Sequence, residues 1–165
     1  MSKDIFMPEG AFPVSATAGA VTTNGGVTCD NISLKEAQMV YIHVHLKQAV
    51  GHATAFTPLV GTAVATCATA LPDTVEIYYG NTTTSSVALA EQTAAKLLTL
   101  GAGVTGVVHI IFKIDPSVLG SDYDCLGMTI GDSSQATNFA SVVYWVVPRY
   151  ANKVASNSAT RFITD

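Results

Sequence analysis

His43-Val44-His45 is the spacing in this sequence best suited to chemistry. On an extended strand residues i and i+2 share a face, so both imidazoles point the same way, as the first two ligands of a metal site do. A cupin uses such a pair with a glutamate a few residues on. Here Leu46-Lys47-Gln48-Ala49 follows, with no carboxylate, and only His52 and His109 remain as histidines. A metal site needs three or more convergent ligands, so the expectation is that His43 and His45 line a polar strand face with Tyr41 and Lys47, and no metal or other cofactor is expected. No Gly-x-Ser-x-Gly elbow is present, and Cys125 sits beside Asp124, which disfavours a thiolate. Cys29, Cys67 and Cys125 are odd in number and far apart, show no CxxC spacing and follow no export signal, so they read as reduced core thiols without an intrachain disulfide. Gly101-Ala-Gly103 and Gly106 lead into a strand, so they lack the helix N-terminus that cradles phosphate. Asp115, Asp122 and Asp124 surround a turn without the spacing of a calcium loop. Trp145 with Tyr144 and Tyr150 could form a sugar platform; Val143 and Val147 share its face, which favours a core position for Trp145. No catalytic residues are assigned, and the chain is not expected to be an enzyme.

The elements that would position these residues are strands. Gly106–Ile114 alternates Val108, Ile110, Phe112 and Ile114 with Val107, His109, Ile111 and Lys113, and Pro116 closes it. Its best partner is Met39–Lys47, where Val40, Ile42, Val44 and Leu46 oppose Tyr41, His43, His45 and Lys47. Ala55–Leu59, Thr62–Thr69, Val75–Tyr79 and Cys125–Ile130 also read as strands, and Ser141–Val147, apolar on both faces, as a central one. Ser33–Ala37 could form one helical turn. Val87–Gln92 reads as a short strand, although Ala88, Ala90, Glu91, Gln92, Ala94 and Ala95 favour helix and keep that alternative open. Asn24-Gly25 could close a hairpin between Ala18–Thr22 and Val27–Asp30. Strands every 10 to 15 residues or so with Gly, Pro and Asn turns predict an all-β, antiparallel, jelly-roll-like β-sandwich with irregular N- and C-terminal arms. The divisions are an arm over 1–27, a sandwich domain over 28–151 and a tail over 152–165.

Composition excludes several function classes. The 165 residues carry a net charge of −4 from eight Lys and Arg against twelve Asp and Glu, too few and too scattered for the basic face a nucleic-acid partner requires. No apolar run reaches the roughly 18 residues needed to cross a bilayer, so no membrane partner is expected. Charged residues make up 12%, about half the usual roughly 25%, while hydrophobic residues make up 48%. A chain with so thin a charged skin fits a protein whose surface is covered by partners.

Three stretches in order carry a resemblance: Ile32–Ala37 into Val40–Leu46, then Phe112-Lys-Ile-Asp-Pro116 to Tyr123-Asp-Cys-Leu-Gly127, then Gly131 through Asn138 to Val147-Val-Pro-Arg-Tyr150. Over about residues 28 to 151 the chain resembles small structural proteins encoded among the head genes of tailed bacteriophages. The resemblance implies a virion component on the capsid exterior, made in the host cytoplasm, that decorates and cements the head. Its implied partners are the major capsid protein and further copies of itself, with a trimer favoured by analogy with three-fold capsid positions. Phe6 and Phe12 at one end, Arg149 and Tyr150 at the domain end, and Arg161 and Phe162 in the tail are the expected partner contacts. A tail, connector or fibre-like receptor- or glycan-binding virion module is the alternative, and a cupin-like metalloenzyme a remote one.

Overall fold

The computed structural model describes residues 10–81, 89–120 and 122–149. Thirteen strands follow in chain order: β1 (Phe12–Ser15), β2 (Val21–Thr22), β3 (Val27–Thr28), β4 (Ile32–Ser33), β5 (Ala37–Gln48), β6 (Thr54–Gly61), β7 (Thr69–Ala70), β8 (Val75–Asn81), β9 (Ala90–Ala95), β10 (Leu98–Leu100), β11 (Gly106–Ile114), β12 (Cys125–Ile130) and β13 (Phe139–Pro148). No α-helix occurs among the described residues. The larger sheet runs β1-β13-β5-β11-β8-β9, with β2 also on β13; the smaller runs β10-β6-β12-β3, with β4 on β12 and β7 on β6. Every pairing is antiparallel. From β5 to β13 the chain changes sheet at six of its eight connections. The result is the expected β-sandwich.

The centre of the larger sheet is the pair foreseen from alternation. β11 meets β5 without a break from Gly106↔Gln48 to Ile114↔Val40. Val108, Ile110, Phe112 and Ile114 are thereby set beside Val40, Ile42, Val44 and Leu46 on one buried face. β13 extends that face with Ala140, Val142, Tyr144 and Val146. From the smaller sheet, Phe56, Val60, Leu126, Met128 and Ile130 complete the same core. Each such side chain contributes about 1.5–3 kcal/mol on full burial, so a one-residue slip that turned this set outward would cost the domain its stability.

Several local expectations are corrected. Trp145 is half-buried on the outer face with Val143 and Val147, while Tyr144 is fully buried and donates to the Asp30 carbonyl at 2.9 Å. β13 is apolar on both faces, so its own sequence does not choose; the register Trp145↔Tyr41 and Val143↔His43 aligns those residues with the polar face of β5. Thr62–Thr69 is not a strand. It turns through a 3-10 segment at Val64–Thr66 and rejoins the sheet only as β7. Ser33–Ala37 makes a turn between β4 and β5, closed by Ala37 N–H to the Leu34 carbonyl at 3.0 Å, because strand pairing on both sides leaves no room for a helix. The strand expected over Val87–Gln92 is found further on, as β9 at Ala90–Ala95 paired with β8, and the helical alternative is not taken; Val87 and Ala88 lie outside the described residues. Asn24-Gly25 forms no hairpin: Val21–Thr22 joins β13 and Val27–Thr28 joins β12, so the turn is a corner between sheets. Gly25 and Gly26 both have positive φ there, and Asp132 Oδ1 accepts from Gly25 N–H at 2.7 Å. Within the stretch expected as an arm, residues 12–15 and 21–22 are strands of the larger sheet.

Pro58 lies inside β6 although proline cannot donate to a ladder. It pairs with Met128 on one side, and on the other it falls between the segments covered by β10 (to Phe56) and β7 (from Leu59).

Candidate interaction face

The outward face of the larger sheet gathers the residues first singled out for chemistry. β5 contributes Tyr41, His43, His45 and Lys47; antiparallel pairing sets His109 opposite His45 and Ile111 opposite His43. On the other flank Trp145 stands opposite Tyr41 and Val143 opposite His43. His43 and His45 therefore lie on the strand face with Tyr41 and Lys47, as expected. His109 joins them: His43 Nε2 and His109 Nδ1 are 3.0 Å apart, and ring centroids are 5.3 Å apart for His43–His109 and 4.9 Å for His45–His109. Interplanar angles of 23° and 18° make this a stack. Among the described residues no group of three or more His, Cys, Asp or Glu could hold a metal ion. Burial, then the charges of His109 and His45, hold His43 below the ordinary histidine value; burial and His45 do the same for His109. The third histidine was legible in principle, since pairing the two strands named above in antiparallel register brings it there.

The charge on this face is sparse and paired. Lys113 Nζ reaches both Glu76 oxygens at 3.0 and 3.1 Å, and Tyr78 donates to Glu76 at 3.0 Å. These hydrogen bonds lower the Glu76 carboxyl and raise the Lys113 ammonium. Lys47 stands exposed towards one end. On the same face Tyr41, Ile111, Val143, Trp145 and Val147 are half-buried, Tyr41 and Trp145 in the row of Lys113 and Val147 beyond it.

Elsewhere the aspartates serve local structure. Asp115 caps the 3-10 turn Pro116–Val118 by accepting from Ser117 N–H at 2.9 Å and Ser117 Oγ at 2.7 Å, and Asp124 pairs with Lys35 at 3.4 Å. Of the expected partner contacts, Phe12 is half-buried in β1 opposite Val146 and packs against its own core. Arg149 is exposed at the rim of an open cleft of about 520 Å³ with Lys35, Tyr123 and Asp124. Its backbone N–H donates to the Glu36 carbonyl at 2.8 Å and its Nε to the Ala37 carbonyl at 3.0 Å. Phe6, Tyr150, Arg161 and Phe162 lie outside the described residues.

Cys29 and Cys125 are buried, and burial pushes the Cys29 thiol up to about 12. Cys67 is half-buried, and its thiol donates to Cys125 Sγ at 2.7 Å. Sequence spacing gives no sign of this pair, because Thr62–Thr69, which folds back after Gly61, reads as a strand.

No protein-family model matches the chain, and no curated protein does. Among solved structures, the chain is similar to one from infectious bursal disease virus Gx strain at 9% identity and a TM-score of 0.22, over 86% of this chain and 38% of that one. A second, from the Gt strain, gives 11% identity and a TM-score of 0.16 over 90% and 40%. The chain thus spans about two fifths of the length of those proteins, and superpositions this loose carry no argument about fold or function. No helix among the described residues is long and apolar enough to cross a membrane.

Proposed function

We propose that this chain is a structural component of a tailed-phage virion, a capsid decoration protein that works by surface contact with the major capsid protein and with further copies of itself. The observation that carries the proposal is the outward face of the larger sheet, lined by half-buried Tyr41, Ile111, Val143 and Trp145, with the Lys113–Glu76 pair beside Tyr41 and Lys47 exposed towards one end. Five strands spaced about 4.8 Å apart and about nine residues long offer about 700 Å² in projection. Standard interfaces bury about 800 Å² per partner, so one such face is of the right size for stable assembly. A weakly charged face also loses little solvation on docking. The order of the three head-gene-like stretches supplies the virion assignment.

A receptor- or glycan-binding virion module is the second reading, favoured by the outward position of Trp145 beside Tyr41. Capsids lacking the protein, mixed with the full chain and sedimented, separate the two. Decoration is expected to saturate and to fall sharply for Ile111→Lys. Chains lacking 1–9 or 152–165 measure the contribution of Phe6, Arg161 and Phe162 and leave β1 intact. A chain that never binds capsids but binds glycans through Trp145 would replace the proposal with the second reading.

A further inference from the structure

We propose that Cys67 and Cys125 are a disulfide-forming pair that, on exposure to a small-molecule disulfide, locks the 62–68 segment onto the outer side of the smaller sheet. The inference rests on geometry alone and does not depend on the virion assignment.

The pair is built by the fold. Cys125 opens β12 opposite Gly61, the last residue of β6. After Gly61 the chain doubles back, and a Cβ on that glycine would lie 2.5 Å from the Thr66 carbonyl oxygen and 2.9 Å from Cys67 Cα. Glycine thus permits the close approach that brings Cys67 over the sheet. Three further contacts hold the segment there. Asn31 Nδ2 donates to the Val64 carbonyl at 2.6 Å, Cys125 Sγ to the Ala63 carbonyl at 2.9 Å, and Asp124 N–H to the Gly61 carbonyl at 2.9 Å. A Cβ on Gly127, two residues along the same side of β12, would run into the Asn31 side chain and lie 3.4 Å from Cys67 Cβ. The sulfurs, 58 residues apart in sequence, are in direct contact at 2.7 Å, so no rearrangement of the backbone elements is needed to bring them together. Cys125 is buried and Cys67 half-buried, so Cys67 is the thiol a reagent in solution meets first.

The chemistry is thiol–disulfide exchange with a small disulfide such as oxidised glutathione as the oxidant. The Cys67 thiolate attacks one sulfur of the reagent, whose S–S bond breaks and releases one small thiolate. The Cys125 thiolate then attacks Cys67 Sγ and expels the second. Two protein thiols are oxidised to one disulfide, one small disulfide is reduced to two thiols, and the two protons pass to the departing thiolates through solvent. Burial, and then the hydrogen bond to Cys125, raise the Cys67 thiol well above its ordinary value, so the reaction is slow near neutrality and accelerates as pH rises.

The test uses the folded full chain, freed of reductant, incubated with oxidised glutathione over a range of pH, then alkylated and mapped by peptide mass spectrometry without reduction. The expected result is a Cys67–Cys125 linked peptide, two hydrogens lighter than the sum of its parts, with Cys29 alkylated. Its formation should quicken with pH, and the oxidised protein should melt above the reduced one, a difference absent in Cys67→Ser. Recovery of all three cysteines as thiols or mixed disulfides after prolonged alkaline incubation would overturn the proposal. So would a bridge involving Cys29, or a Cys67–Cys125 link that forms only in denaturant.

Discussion

Lysine placed at Ile110 and, separately, at Ile111 tests which face of β11 is core and whether the outward face tolerates change. Ile110 is fully buried in the sandwich, whereas its neighbour Ile111 points outward between His43 of β5 and Tyr78 of β8. Ile110→Lys forfeits about 1.5–3 kcal/mol of apolar burial. It must also bury an unpaired ammonium or shed its proton, and neutralising a lysine of ordinary pKa near 10.4 at pH 7 costs about 5 kcal/mol. The sum, about 7 kcal/mol, falls within the range of whole-domain stability, about 5–15 kcal/mol. Ile110→Lys is therefore expected to be largely unfolded or insoluble. Ile111→Lys can lay its stem along the sheet and keep its head in water, losing about 1–2 kcal/mol. Urea unfolding followed by far-UV circular dichroism should give Ile111→Lys the parent m-value and a lowered midpoint. If Ile110→Lys folds and Ile111→Lys does not, the strand lies one residue out of register and the outward face described above is the core.

Tyr144→Phe keeps the buried ring and loses only its bond to the Asp30 carbonyl, for about 1 kcal/mol. Trp145, on the outer face, should be partly quenched by iodide, and full protection would return it to the core. Gly61→Ala should destabilise the domain by about 1–3 kcal/mol, because its Cβ meets backbone on the returning segment, and should suppress the Cys67–Cys125 link; an unchanged stability would contradict the close approach. Acid should weaken the fold through His43 and His109. Both are held below the ordinary 6.5, so below that pH the unfolded chain binds protons that the folded chain refuses, and stability falls. Glu76 and Asp132 are held below their ordinary 4.5 and 3.8, so their contribution is lost only at lower pH. Melting temperature should thus drop from about pH 6.5 to about pH 5, with a shallower slope in the His43→Gln, His109→Gln double variant; equal slopes would refute the assignment.

Alternation made the centre of the fold legible. Val40–Leu46 and Val108–Ile114 each show one apolar and one mixed face, and a single antiparallel register satisfies both. Where the pattern is degenerate, tertiary structure decided. β13 is apolar on both faces, so only its pairing with β5 chooses Tyr144 over Trp145 for the interior. Thr62–Thr69 is rich in small and β-branched residues, but Gly61 allows the chain to fold back, and no local pattern reports what will lie above a glycine. The helix formers of Ala90–Ala95 yielded to pairing with β8. The histidine stack follows once the β5–β11 register is drawn, whereas the cysteine pair depends on a reversal that no local pattern reports.

The central claim is that this protein acts as a repeated surface component of a virion. Counting its copies by quantitative mass spectrometry on purified intact particles, relative to the major capsid protein, tests that claim most directly. The account predicts copies in the hundreds, in fixed ratio to the capsid protein and retained on tailless heads. A handful of copies confined to tails, or none on washed particles, would contradict it.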